Sequence, residues 1–145
     1  GLAGWSDVAA RVGVTDEYDG RAVALVDLFN RGVLDVVVAN QQEPALVYKN
    51  SVAPGNHWIG FKLVGARSNR SAIGAEVLLV AGGTRQLEVV DGGSGFASQN
   101  DRRLHFGLGR SAQVDSAVIH WPSGTVQTLG HPAADRVHVV TEPAR

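Results

Sequence analysis

Sixteen residues near the middle of the chain, AEVLLVAGGTRQLEVV (75–90), restrict its fold more than any other stretch. Two runs rich in Val and Leu flank Gly82 and Gly83, and paired glycines supply the positive φ angles that a tight hairpin turn requires. The same texture recurs along the chain. AVALVD, LDVVVAN and ALVYKN are short β-branched runs with tight connections in residues 22–50. WIGFKLV (58–64) alternates, with Trp58, Gly60, Lys62 and Val64 on one face and Ile59, Phe61 and Leu63 on the other. LHFGLG and RVHVVT are further strands. SAVIHW and TVQTL flank PSG, where Pro122 presets a turn and Gly124 relaxes it. About ten short strands point to an all-β sandwich or barrel, which we read as a jelly-roll-like antiparallel β-sandwich. One helix of about two turns is expected in WSDVAARVGV, with Ser6 as its cap, Asp7 in its first turn and Gly13 as its stop. Pro54 and Gly55 interrupt the pattern and divide residues 1–54 from residues 55–145.

Composition narrows the class. A chain of 145 residues is long enough for one self-sufficient core. Its net charge of −1 gives no electrostatic pull toward nucleic acid, although 11 of its 13 basic residues are arginine. No apolar run is long enough to span a bilayer. The absence of cysteine removes disulfides, thiolate catalysis and thiolate metal sites. Methionine is absent even at position 1, so the chain reads as a processed or excised piece, the C-terminal end of a longer parent.

Three stretches carry a family likeness. NHWIGFKLVGARSNRSAIGAEVLLVAGG, SGFASQNDRRLHFGLG and VIHWPSGTVQTL, in that order within residues 56–129, resemble the ASPIC/UnbV domain. That domain takes its name from acidic cartilage proteins and from a gene product of enediyne biosynthetic clusters. Residues 7–50 resemble the last FG-GAP/VCBS repeat that usually precedes it. The arginine-rich chain has a bacterial look. The likeness implies a longer parent built as a β-propeller with this domain as its cap, and a propeller-blade remnant packed on the sandwich. A lone blade cannot bury both faces by itself. The compartment stays open: extracellular or periplasmic for a surface protein, cytoplasmic for a biosynthetic one.

The repeat resemblance raises calcium as a cofactor. On the D-x-D-x-D-G-x-x-D pattern, Asp27 takes the first place, Gly32 the turn and Asp35 the last. Phe29 and Arg31 fill the third and fifth places, and neither donates an oxygen to a dication that needs six to eight. Asn30 falls one position off. The loop reads as degenerate, and no cofactor is expected.

Two polar, glycine-rich connections are the candidate binding surfaces. In RSNRSAIG, Arg67, Asn69 and Arg70 offer donors to a carboxylate, phosphate or sugar, or else close a local turn. Asn69-Arg70-Ser71 also fits the N-glycosylation pattern. In DGGSGFASQND, glycines beside Ser94 allow close backbone approach. Phe96, Ser98, Gln99 and Asn100 then set an apolar plate beside amides and hydroxyls, unless Phe96 plugs the sandwich end. Trp121 is either a stacking platform or a core closure. Ser94 lacks the final glycine of G-x-S-x-G, and Ser98 stands where G-x-G-x-x-G needs its third. The five histidines form no local metal spacing, although His105 and His120 sit in strands that could meet. The expected role is a non-catalytic module for a protein, carbohydrate or small-molecule ligand. The alternative is an enzyme or accessory acting on a small molecule of secondary metabolism.

Overall fold

A computed structural model describes residues 4–51 and 54–144. One helix, α1 (Ala9–Val12), is followed by ten strands: β1 (Gly20–Val26), β2 (Asp35–Asn40), β3 (Leu46–Tyr48), β4 (His57–Val64), β5 (Glu76–Ala81), β6 (Thr84–Val89), β7 (Leu104–Gly109), β8 (Ser116–His120), β9 (Val126–Gly130) and β10 (Val137–Thr141). The helix is a single turn with Gly13 at φ 83° as its stop. Its cap differs from the expectation. The cap position is Val8, without a side-chain cap bond, because the helix begins two residues later than the Ser6 reading requires. Asp7 Oδ1 accepts the Ala9 N–H at 2.9 Å.

Strands β6-β5-β8-β9 form one sheet and β10-β4-β7 another, and their inner faces make the core. Alternation places Ile59, Phe61 and Leu63 of β4 against Val77 and Leu79 of β5 and Ile119 of β8, all buried. Phe61 meets Phe106 edge to face at 5.9 Å, the arrangement that ring quadrupoles favour. Gly82 and Gly83, at φ 54° and 77°, turn the central hairpin as anticipated. The fold is an all-β sandwich, with one departure from a purely antiparallel one: β10 runs parallel to β4. The pairing of Gly130 with Ser116 leaves β9 at the far end of its sheet. The short crossover of residues 131–136 therefore delivers β10 to the end where β4 also begins.

Register gathers the polar connections. Phe61 pairs with Leu104 and Glu76 with His120, so the β4–β5, β6–β7 and β8–β9 connections all emerge at one end. Glu142, just past β10, arrives there too.

The first three strands form a separate sheet, β1-β2-β3. Val23, Val38 and Leu46 share one face, and Ala24, Val37 and Val47 share the other; all six are apolar and none is buried. This sheet does not lay a face on the sandwich. It docks by its tip and one edge. The Leu25 N–H donates to Asn100 Oδ1 at 2.9 Å, and the Asp101 N–H donates to the Leu25 carbonyl at 3.1 Å. Gly32, at φ 74°, lies so close over the Trp58 indole that an added Cβ would sit 1.9 Å from Cε2. Only glycine fits there.

Candidate functional site

The loop end is organised by a residue that sequence reading passed over. Glu142 is 2% exposed, yet its carboxylate has a full set of donors. Oε2 accepts the N–H groups of Ala66, Arg67 and Ser68 at 2.9, 2.8 and 2.7 Å. Oε1 accepts the Ser68 hydroxyl at 3.0 Å and the Ser123 hydroxyl. Burial pushes this carboxyl up, but the Ser123 hydroxyl and the three backbone N–H groups outweigh it and hold it at about 2. The bond from the Ser123 N–H to Ser68 Oγ, 3.0 Å, completes a clip between the 66–71 loop and the β8–β9 turn. Sequence gave no signal for it, because the backbone donors lie 74 to 76 positions from Glu142 and Ser123 lies 19 away.

Several proposed ligand contacts are used internally. Asn69 Oδ1 accepts the Ile73 N–H and its Nδ2 donates to the Ile73 carbonyl, both at 2.9 Å, which closes the turn. Ser98 Oγ donates to the Ser94 carbonyl at 3.2 Å, and Asn100 Nδ2 donates to Ser94 Oγ at 3.1 Å. Asn100 also tethers the N-terminal sheet at Leu25. Trp121 is 3% exposed and donates its indole N–H to Gln127 at 3.1 Å, so it closes the core and presents no face to a ligand. Phe96, by contrast, is 77% exposed and plugs nothing.

The two long loops meet at Arg102. Its Nη1 donates to Ser71 Oγ at 3.3 Å. The Gln99 amide, with its oxygen toward the guanidinium, accepts from Nε at 2.7 Å and Nη2 at 3.1 Å. Arg103 is neutralised: it pairs with Asp101 at 2.6 Å and reaches Asn30 Oδ1 at 2.9 Å. Two open hollows flank this ridge. One, about 270 Å³, is lined by Glu88, Asp91, Gln99 and Asn100. The other, about 690 Å³, is lined by Lys62, Arg70 and Ser71. Arg70, Gln99 and Asn100 thus gather around Arg102, whereas Arg67 leans toward the β8–β9 turn, its Nη1 3.4 Å from Thr125 Oγ1.

Calcium does not fit the Asp27–Asp35 loop. Asp27 spends both oxygens on the N–H groups of Arg31 and Gly32, at 2.9 and 2.6 Å. The Arg31 guanidinium donates to Asp35 Oδ1 at 2.8 Å and to the Asn50 carbonyl at 3.2 Å, placing a fixed cation against the buried carboxylate. Asp35 Oδ2 is buried without a partner. Burial raises the Asp35 carboxyl, but the Asn50 N–H and Arg31 outweigh it and keep it below the usual range.

Nor do the histidines assemble. His105 stacks on Trp58 at 5.7 Å and bonds the Gly32 carbonyl at 2.8 Å on the outer side of one sheet, while His120 is exposed on the other sheet. His57 Nδ1 lies 2.7 Å from Asp135, and no hydroxyl joins that pair among the described residues. Asp135 instead fixes the crossover by donating its N–H to the Trp58 carbonyl at 2.7 Å.

A family model described as ASPIC and UnbV matches residues 65–145, more than half of the sequence. The chain belongs to the ASPIC and UnbV family. Among its relatives, Cartilage acidic protein 1 of Xenopus tropicalis is 30% identical over 122 residues, 80% of this chain and 18% of that protein. The Mus musculus and Homo sapiens proteins of the same name are 29% and 28% identical over 114 residues, 74% of this chain and 17% of each. This ASPIC and UnbV chain therefore spans less than a fifth of the length of those relatives. The matched region contains the whole loop end, including Arg70, Arg102, Ser123 and Glu142.

Proposed function

We propose that this ASPIC and UnbV chain is a non-catalytic recognition module, a C-terminal piece of a larger propeller-containing protein. Its recognition surface is the ridge where residues 66–71 meet residues 91–103. The observation that carries this reading is the Arg102 guanidinium, held at all three nitrogens by neutral acceptors and left with its charge unspent. Rigid polar loops on a packed sandwich suit binding, because little is left to order when a ligand arrives.

The three-stranded sheet, apolar on both faces, supports reading residues 1–54 as a degenerate FG-GAP/VCBS blade awaiting a neighbour. The Arg31–Asp35 pair supports a blade whose fixed cation stands in for calcium. The enzyme alternative has less behind it. Asp91, in the smaller hollow, is held below the usual range by the Gly93 N–H and the Ser94 hydroxyl. An ionised carboxylate cannot act as a general acid at neutral pH.

The test is a heteronuclear NMR titration against a mixed library of peptides and glycans. We expect amide shifts confined to residues 66–71 and 91–103 and recovery of the ligand with unchanged mass. Conversion of the ligand, or shifts confined to other surfaces, would overturn the reading.

A further inference from the structure

The 690 Å³ groove carries a charge that the whole-chain value of −1 conceals. Four cations line it, Lys62, Arg70, Arg102 and Arg103, against one carboxylate, Asp101. Arg103 and Asp101 satisfy each other. The remaining three cations have no carboxylate within ion-pair distance among the described residues. Glu88 and Asp91 line the hollow across the ridge, and neither pairs with Arg102.

The groove floor is aliphatic. Val64 and Val137 line it, and Val139, paired with Lys62 across the β4–β10 ladder, is 68% exposed beside it. No aromatic ring lines it to stack on a sugar. A surface of fixed cations over a strip of valines complements an extended chain that alternates carboxylates with aliphatic side chains.

We infer that this groove binds an acidic peptide segment with interspersed aliphatic residues, its carboxylates on Lys62, Arg70 and Arg102. The inference rests on the recognition-module reading and names its partner class. The guanidinium of Arg102, already immobilised by Gln99 and Ser71, offers a planar fork to one carboxylate without further loss of side-chain freedom.

Fluorescence anisotropy tests this on the folded chain with a labelled eight-residue peptide of alternating Glu and Val. Binding is expected at low ionic strength, weakening as salt rises. Lys62→Gln, Arg70→Gln and Arg102→Gln should each weaken it roughly three- to tenfold. Arg85→Gln, on the far sheet, should leave it unchanged, as should Lys49→Gln in the N-terminal segment. Because Arg102→Gln alters the ridge, Lys62→Gln and Arg70→Gln, at exposed positions, keep the test valid if that variant fails to fold. Equal binding of a Gln–Val peptide, or equal loss with Arg85→Gln, would overturn the inference. If a heparin-derived oligosaccharide bound with the three-variant dependence and the peptide did not, the peptide class would fall while the module reading stood. If no probe answered to the ridge variants, both would fall.

Discussion

The sandwich and the N-terminal sheet are built from the same kinds of residue and end in opposite states. Strands β4, β5, β7 and β8, with Val140 of β10, bury their inward apolar residues between two sheets. Strands β1 to β3 are apolar on both faces, and no residue from them belongs to the core cluster. The difference lies in the number of partners. A half-buried strand needs one apposed sheet, which this chain supplies; a sheet apolar on both faces needs two. Independent stability therefore belongs to the sandwich, and the N-terminal sheet borrows its position through Gly32, Leu25 and Arg103.

Mutations should expose this asymmetry. The largest effect is expected from Phe61→Ala, which empties a fully buried site and should cost about 3–5 kcal/mol in urea unfolding. Val23→Ala, on an uncovered face, should cost less than about 1 kcal/mol. A comparable cost at both positions would show that the N-terminal sheet is packed after all. Next comes Gly32→Ala. Its Cβ collides with Trp58 and its φ is positive, so on the order of 2 kcal/mol of docking should be lost. Hydrogen exchange should then quicken in β1 and β2 while β5 and β8 keep their protection; uniform loss would mean one cooperative unit instead of two.

Glu142 sharpens the comparison from the sandwich side. Its carboxyl lies at about 2, below its ordinary value of 4.5, so its contribution is complete above about pH 4.5 and disappears as pH falls toward 2. Asp35 and Asp91, also depressed, act in the same direction. Glu142→Gln should lower the melting temperature by several degrees at pH 7. The wild-type and variant melting curves should converge near pH 2, and a constant gap down to that pH would refute the assignment. The smallest effect concerns calcium. With Arg31 against Asp35, excess calcium or chelator should move the melting temperature by less than about 1 °C, and a gain of several degrees would mean that the guanidinium yields its place.

Much of the sandwich was legible in the sequence. The Gly82-Gly83 turn, the Pro122–Gly124 turn and the inward set Ile59, Phe61 and Leu63 follow from rules that act within a few residues. Local rules served the site less well. Asn69 and Ser94 have the chemistry of ligand contacts, yet each is committed to its own loop. Trp121 has the chemistry of a platform and sits in the core. Whether a polar side chain faces a ligand or its own backbone depends on which neighbours the fold delivers, and those lie beyond the range of any local pattern.

By itself, the sequence determined the approximate strand count, the turns and the face that β4 buries, because the pleat converts alternation directly into sidedness. Only the tertiary structure decided that Glu142 would clasp a loop more than 70 positions away, that β10 would run with β4, and that three cations without an ion-pair partner among the described residues would line one groove on a nearly neutral chain. Those outcomes depend on which strand ends meet in space, and that is set when two sheets close over a shared core.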